Sequence, residues 1–491
     1  MKTLKFFILF ILSSLLISGY SQTISIDNSF GINGYTIIPN TTEISFFDFD
    51  KYGNIIAVGY TLKGGGKYDL TITKTDANGT LITSFGNNGV VKVTDYDQSL
   101  PNGLKITNDN KILILMNCAE IQFQPYQYIL MQFNEDGTPD INFAPNGKII
   151  ININWVPSFI TLENEFILIG KFDYQNFITN VSKFDYGGIL DPSFGVGGIV
   201  TLTVGQSFMP FCSKLLNNSS IIVAGAGGFD PSIGKELAIC KLTQNGDIDK
   251  SFATNGIWHL NIFQDFDLSF ELFNNVFEES NGNLVFIGGY NDNGMFMSRF
   301  FADGTLDNSF GVDGFYYPID NSISCGGLPI LQNGNKYIIG GYTSENSKIL
   351  CINNDGTINN NFGNNGVFTL ENNFIFHDIK IQANDTIVVG GVVNPYPNGV
   401  FGLSRLIIEP EPISASINIL DNFTIYPNPV KDNLNFTEET QVEITDIQGR
   451  VLLRTTKAVK SVNISSLQAG IYFVKVTLSN QNSEIIKIVK L

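Results

Sequence analysis

Short apolar runs separated by polar turns organise most of this chain, and the same runs come back at intervals. The most regular is a turn leading into a β-branched run that ends on glycine, Gly53-Asn54-Ile55-Ile56-Ala57-Val58-Gly59-Tyr60. Its relatives cover residues 111–116, 166–171, 221–225, 282–290, 334–342 and 385–391. Runs this short, rich in Ile and Val and bounded by turn residues, predict buried strands rather than helices. A further apolar strand in each unit leads into Asn78-Gly79, Asp136-Gly137, Gly187-Gly188, Asn245-Gly246, Asp303-Gly304 or Asp355-Gly356. Asn-Gly and Asp-Gly tolerate positive φ at both central positions, which tight hairpins require. Six residues beyond each second glycine stands a phenylalanine, itself followed four residues later by glycine. The signatures are Phe30/Gly34, Phe85/Gly89, Phe143/Gly147, Phe194/Gly198, Phe252/Gly256, Phe310/Gly314 and Phe362/Gly366, spaced 55, 58, 51, 58, 58 and 52 residues apart. Weaker alternation, as at 44–49 and 104–107, supplies another strand between signature and run.

Four short strands in about 55 residues, repeated with almost no helix signal, predict an all-β toroid. The fold expected is a seven-bladed β-propeller of four-stranded repeats over residues 22–408. Phase supports closure. The chain enters on a Phe-Gly strand and leaves the array after Phe401-Gly402-Leu403-Ser404-Arg405-Leu406-Ile407-Ile408 with no signature following. Pairing the first strand with the last would close the ring and hide its edges, whereas an open solenoid would need capping repeats. Composition then changes. Glu409-Pro410-Glu411-Pro412 opens a stiff linker over 409–422. Residues 423–491 form a small β-sandwich-like domain with strands expected at 432–436, 441–445, 451–455, 471–478 and 484–489, and turns at Gly449 and Gly470.

The first residues read differently. Lys2 and Lys5 precede an apolar run from Phe6 to Ile17 and the small-residue segment Gly19-Tyr20-Ser21. That is the pattern of a secretory signal peptide, residues 1–21, cleaved between Ser21 and Gln22. No other stretch approaches the roughly 20 apolar residues of a spanning helix. Cleavage takes two lysines and no acid with it, moving the formal charge from −17 to −19. Such a protein is a poor match for nucleic acid or anionic lipid. Five scattered cysteines (118, 212, 240, 325 and 351) imply no disulfide framework.

Candidate chemistry is sparse. Asp185 with Asp191, and Asp303 with Asp307, place carboxylates beside glycine turns, but without the oxygen spacing of a calcium loop; Asx-turns explain them. The two histidines, His259 and His377, lie in different units, and there is neither a zinc motif nor a nucleophile elbow. No residue is therefore assigned to catalysis, to a cofactor or to a metal. A carboxylate pair assembled from distant units stays open. Structural residues repeat and functional ones break the repeat, which singles out Trp155, Trp258-His259, Tyr126 to Tyr128 and Lys63-Gly64-Gly65-Gly66-Lys67. Trp155 and Trp258 are the candidate ligand-stacking residues, with core packing as the alternative.

The segment from Asp303-Gly304-Thr305-Leu306-Asp307 to Ser309-Phe310-Gly311-Val312-Asp313-Gly314, with Gly282 to Gly289, resembles the bacterial delta-60 repeat. That repeat implies a β-propeller but no established reaction. Departures are Ala144 and Ala253 after the phenylalanine, and Ile82 where an Asp usually stands. Tyr426-Pro427-Asn428-Pro429-Val430, Ile444 to Val451 around Gly449, Leu467 to Phe473 around Gly470, and Lys487-Ile488-Val489-Lys490-Leu491 resemble a type A sorting domain of the Bacteroidota type IX secretion system. The resemblance implies passage through the periplasm and across the outer membrane, with the secretion machinery as partner. The expectation is an exported, non-enzymatic propeller binding glycan or protein. A carbohydrate-active enzyme and a structural surface protein are the alternatives.

Overall fold

The computed structural model describes residues 24–119, 127–144, 147–151, 159–161, 166–173, 178–185, 189–202, 208–227, 236–261, 271–290, 294–318, 323, 330–333, 336–343, 346–370, 374–382, 386–393, 399–408, 424–446, 450–477 and 483–491. The signal-peptide segment with Ser21 and Gln22, the linker, Tyr126, Trp155, Gly187-Gly188, Cys325 and Gly449 lie outside them. Contacts divide the chain into two compact units, residues 1–410 and 411–491.

The first unit is built of antiparallel meanders. One runs Glu43–Phe49, Ile55–Gly64, Lys67–Thr75, Val90–Val93. Others of the same order begin at Gln98–Ile106, Phe159–Thr161, Phe208–Leu215, Glu271–Glu278 and Ile330–Asn333. The first two share one eight-stranded sheet through a single parallel bridge, Tyr68 to Gln98. The last meander, Phe374–Ile381, Thr386–Val393 and Val400–Ile408, takes its outer strand from the start of the chain. Ile24 pairs with Ile408 and Tyr35 with Ser404.

The β-branched run forms the second strand, and both its faces are buried. In the first meander Ile56 and Val58 pack on Ile112, Ile114 and Met116 of the next. Ile55 and Ala57, on the opposite face, pack on Val388, Phe401 and Leu403 of the last. Period-two alternation thus sends alternate residues to the two neighbouring blades. The glycine closing the run has a steric cause. The first strand bulges between Ile44 and Phe46, and a Cβ on Gly59 would stand 1.7 Å from the Glu43 carbonyl oxygen.

The signature phenylalanines fill the joints between blades. Phe30 is fully buried, and its ring leaves no room for a Cβ on Gly79, whose φ is +81°. The Gly31 amide donates to the Asn78 carbonyl at 2.8 Å, and Gly86 to Asp136, Gly195 to Asn245 and Gly311 to Asp355 repeat the bond. In these units the Asx-Gly turn therefore serves twice: it reverses the chain and roofs the preceding signature.

In the second unit Asn433–Thr445 is one long strand, where the sequence suggested two. The Thr437-Glu438-Glu439 segment reads as a break but is an exposed stretch of continuous strand. The register jumps between Asn435 and Thr440. The first half pairs with Ile425–Tyr426 and Val459–Asn463, the second with Val451–Arg454 and Gly470–Thr477. Ser483–Lys490 completes the sheet, over a core of Val430, Leu434, Phe436, Val442, Ile444, Val474, Val476 and Ile488. No helix among the described residues is long and apolar enough to cross a membrane.

Candidate functional site

A buried cation accompanies the signature phenylalanine in most units. It comes from the third strand and pairs with the Asp three residues before the ring. The pairs are Lys183–Asp191 at 3.1 Å, Lys241–Asp249 at 3.2 Å, Arg299–Asp307 at 2.7 Å and Arg405–Asp27 at 2.7 Å. The same cations lie over Phe194, Phe252, Phe310 and Phe30, at 5.7, 5.7, 4.9 and 5.1 Å from the ring centroids. The other carboxylate oxygen caps the next turn: Ser193, Ser251, Ser309 and Ser29 each donate through backbone N–H and Oγ. For Asp307 and Asp27 burial pushes the pKa up, but the serine and arginine hydrogen bonds outweigh it and hold the carboxyls below their usual range. Because this device repeats, it is part of the scaffold.

It is absent from the sixth meander, where Asn359 and Cys351 take the two places, and it fails to repeat in the first two. Ile82 stands where the Asp should be, so Lys74 has lost its partner; its ammonium turns to Asp50 Oδ2 at 3.0 Å and donates to the Glu135 carbonyl at 3.4 Å. In the next unit Gln132 replaces the cation, and Asp140 is taken instead by Lys111 at 2.9 Å, which also donates to Asn134 Oδ1. Between these rewired pairs lies a cleft of about 740 Å³, lined among others by Lys74, Ser84, Asp109, Lys111, Asn134 and Glu135. Asp109, Glu135 and Asp136 line it beside Lys74 and Lys111, whose charges are met by Asp50 and Asp140, so the cleft is acidic. Glu135 and Asp136 are exposed at its rim. Hydrogen bonds from Thr138 hold Asp136 below the usual carboxylate range, and the hydrogen bond from Lys111 does the same for Asp140. Such groups accept hydrogen bonds well and donate protons poorly at neutral pH. Among the described residues no group of three metal-ligating side chains occurs.

The residues expected from sequence are not brought to this cleft. Trp258 lies on Ile257–Asn261 with its ring edge-on to Phe300, centroids 4.7 Å apart, against the cluster of Phe252, Phe286 and Phe296. His259, next along the strand, is exposed. Tyr128 is buried on Gln127–Phe133. Lys63 pairs with Asp69, and Lys67 with Asp97 at 2.9 Å, beside the glycine turn. Asp303 accepts from the Thr305 amide and hydroxyl at 2.9 and 2.7 Å, an Asx-turn. Cys118, Cys212, Cys240 and Cys351 are buried thiols, outside any disulfide among the described residues; burial pushes the Cys240 thiol up to about 12. The sequence signal for the cleft was Ile82 itself, a departure at a position where the repeat otherwise carries Asp or Asn.

In the second unit the sorting-motif residues converge on the last strand. Asn428 Nδ2 donates to the Lys487 carbonyl at 2.9 Å, and the Val489 amide donates to Asn428 Oδ1 at 2.9 Å. Val430 bridges to Lys490, which is largely buried, and Gly470 pairs with Lys490 across the strand. Tyr426 and Lys487 are exposed; Pro427 and Pro429 both follow cis peptide bonds.

Comparison with known proteins bears on both units. The model of the secretion system C-terminal sorting domain matches residues 424–490. That of a β-propeller domain of unknown function, DUF5122, matches residues 332–362. No curated protein matches the chain. Solved structures similar to it include the extracellular domain of a one-component system from B. thetaiotaomicron, at 10% identity and TM-score 0.40, covering 92% of this chain. The chain spans 58% of the length of that protein. Others are the polysaccharide lyase Uly1, at 10% identity and TM-score 0.47 with 80% of this chain and 95% of that one covered, and the Dos1 propeller, at 8% and 0.44 with 75% and 93% covered. At these scores none of them speaks to activity. The chain is thus an all-β propeller protein carrying a type IX secretion C-terminal sorting domain, the module that directs export across the outer membrane to the cell surface or beyond.

Proposed function

We propose that the protein is a seven-bladed propeller that acts outside the cell as a non-enzymatic binding module. Its ligand is a glycan, held in the acidic cleft between the first two meanders. A signal peptide over residues 1–21 starts its export, and the linker at 409–422 joins propeller to sorting domain. The observation that carries the reading is the rewiring around Ile82. A buried ion pair present in four units is rewired in two adjacent ones, and there, unlike the sixth unit where Cys351 and Asn359 simply take its two places, carboxylates, amides and a hydroxyl line an open cleft. Sugar hydroxyls are met by such a mixture of acceptors and donors. A glycosidase acid would need a raised pKa, a role that Asp136, held low by Thr138, does not fill. Trp258, packed on Phe300, is given a core role here.

A polysaccharide screen of the purified protein, with hydrolase and lyase assays alongside, tests this. Binding without turnover, weakened by Glu135→Gln with Asp136→Asn, is the expected result. Turnover that disappears when one acidic pair is removed would establish the enzyme instead. Absence of any binding would leave a structural surface protein.

A further inference from the structure

The first strands of the meanders lie next to one another around the propeller axis: 43–49 beside 98–106 and 374–381, and 271–278 beside 208–215 and 330–333. One register position on these strands is opposite the second residue of the buried run. It is Asp48 opposite Ile56, Lys105 opposite Leu113, Lys214 opposite Ile222 and Lys380 opposite Val388, while Phe277 opposite Val285 and Leu331 opposite Ile338 hold it in the fifth and sixth meanders. Three lysines thus occupy equivalent inward places in a chain with only 29 basic residues against 46 acids. They come from the second, fourth and last meanders. Asp48, from the first, sits between two of them, because the Phe47 amide donates to Asp378 Oδ2 at 3.0 Å and locks the last strand set to the first.

The acids nearby do not saturate these ammoniums. Lys105 Nζ stands 3.8 Å from Asp48, and Lys380 Nζ 3.7 Å from Asp378, both beyond hydrogen-bond range. Lys380 does lie over the Phe47 ring and, against the effect of burial, the charges of Asp378 and Asp48 hold its ammonium above the usual lysine range. Asp378 is itself buried and already accepts from the Phe47 and Ile379 amides. Glu278, nearest in charge to Lys214, accepts from the Asn217 amide at 2.8 Å. Lys214 is solvent-accessible and has no ion-pair partner among the described residues. Surrounding protein, with Lys105 and Lys380 adding repulsion against the attraction of Glu278, pulls its pKa below the usual lysine range. Three ammoniums on axis-lining strands of one ring, with Lys214 in electrostatic reach of both others, form a site that an anion would complete.

We propose that Lys105, Lys214 and Lys380 bind one oxyanionic group, of sulfate, phosphate or carboxylate chemistry, on the propeller axis. This site is separate from the acidic cleft and does not depend on the function assigned to it. Inorganic sulfate and glucuronate, each against chloride at matched ionic strength, are the probes, read by thermal shift and calorimetry on the purified protein. A saturable response to either oxyanion is expected, with affinity falling about tenfold in Lys214→Gln, the loss of one charge-assisted hydrogen bond. Lys457→Gln, on the exposed surface of the second unit, should change nothing. No saturable response, or one unchanged in Lys214→Gln, overturns the proposal. Should a variant misfold, acetylation of wild-type Lys214 mapped by mass spectrometry replaces it. Protection by sulfate supports the site, and an unaltered rate refutes it.

Discussion

Removing the Arg405 guanidinium tests whether the repeated ion pair holds the closing strands together. Arg405 lies on the final propeller strand, and its Nε and Nη2 both donate to Asp27 Oδ2 at 2.7 Å, while Nη1 donates to the Ala77 carbonyl at 2.8 Å. It therefore joins the start of the array, its end and the first Asx-Gly turn. Both side chains are 11% exposed, so solvent screens the pair little. In Arg405→Met the apolar contact with Phe30 survives, but Asp27 becomes a buried carboxylate without a counter-charge. Breaking such a pair costs about 3–5 kcal/mol. Two hydrogen bonds from Ser29 remain, which places the cost at the lower end, about 3 kcal/mol. Every 1.4 kcal/mol is a factor of ten, so amide exchange in Ile24–Ile26 and Val400–Ile408 should accelerate roughly a hundredfold. In the Asp27→Asn, Arg405→Met double variant no charge is stranded, and most of the loss should be recovered. Hydrogen exchange read by mass spectrometry reports both. If Arg405→Met leaves these strands within threefold of wild type, or if the double variant is as labile as the single one, the pair is not what holds the closure.

Three further outcomes are expected. A Cβ on Gly79 would stand 2.7 Å from the Phe30 ring at φ +81°, whereas one on Gly64, at φ +86°, meets nothing within 4 Å; Gly79→Ala should lower the melting temperature clearly more than Gly64→Ala, by an overpacking cost of about 1–3 kcal/mol, and equal shifts would contradict the roofing role of the turn. The carboxyls of Asp27, Asp191, Asp249 and Asp307 are held below the usual aspartate value of about 3.9 in the fold. Their stabilisation is complete above that pH and is lost as pH falls through the lower folded values, so the melting temperature should be level from pH 7 to about 5 and drop below about 4; a protein that gains stability on acidification would refute this. Deletion of residues 423–491 should leave the propeller in the periplasm, as fractionation would show, and normal export of the truncated chain would refute a sorting role for the second unit.

The repeat could be read from sequence because its cause is local. A short β-branched run, an Asx-Gly pair and a Phe-Gly signature are each recognisable within ten residues, and their recurrence forces a radial arrangement whatever lies between. What could not be read is which side chains meet across a joint. Lys74 lies on the third strand and Asp50 in the turn between the first and second, and Lys111 replaces a third-strand cation from a turn before the second strand. A one-dimensional pattern shows that Ile82 is out of place; only the fold shows where the orphaned lysine goes. The long strand Asn433–Thr445 was missed for a related reason, since a strand that changes partners midway carries a polar stretch that looks like a turn. The two tryptophans drew attention as non-repeated aromatics, yet Trp258 fills the same inter-blade layer as its neighbours. Breaking a repeat is therefore not enough to mark a functional residue. It has to break the repeat and leave polar groups facing solvent. The cleft at Ile82 meets both conditions, and so does Lys214, whose equivalent on the first strand set is an aspartate.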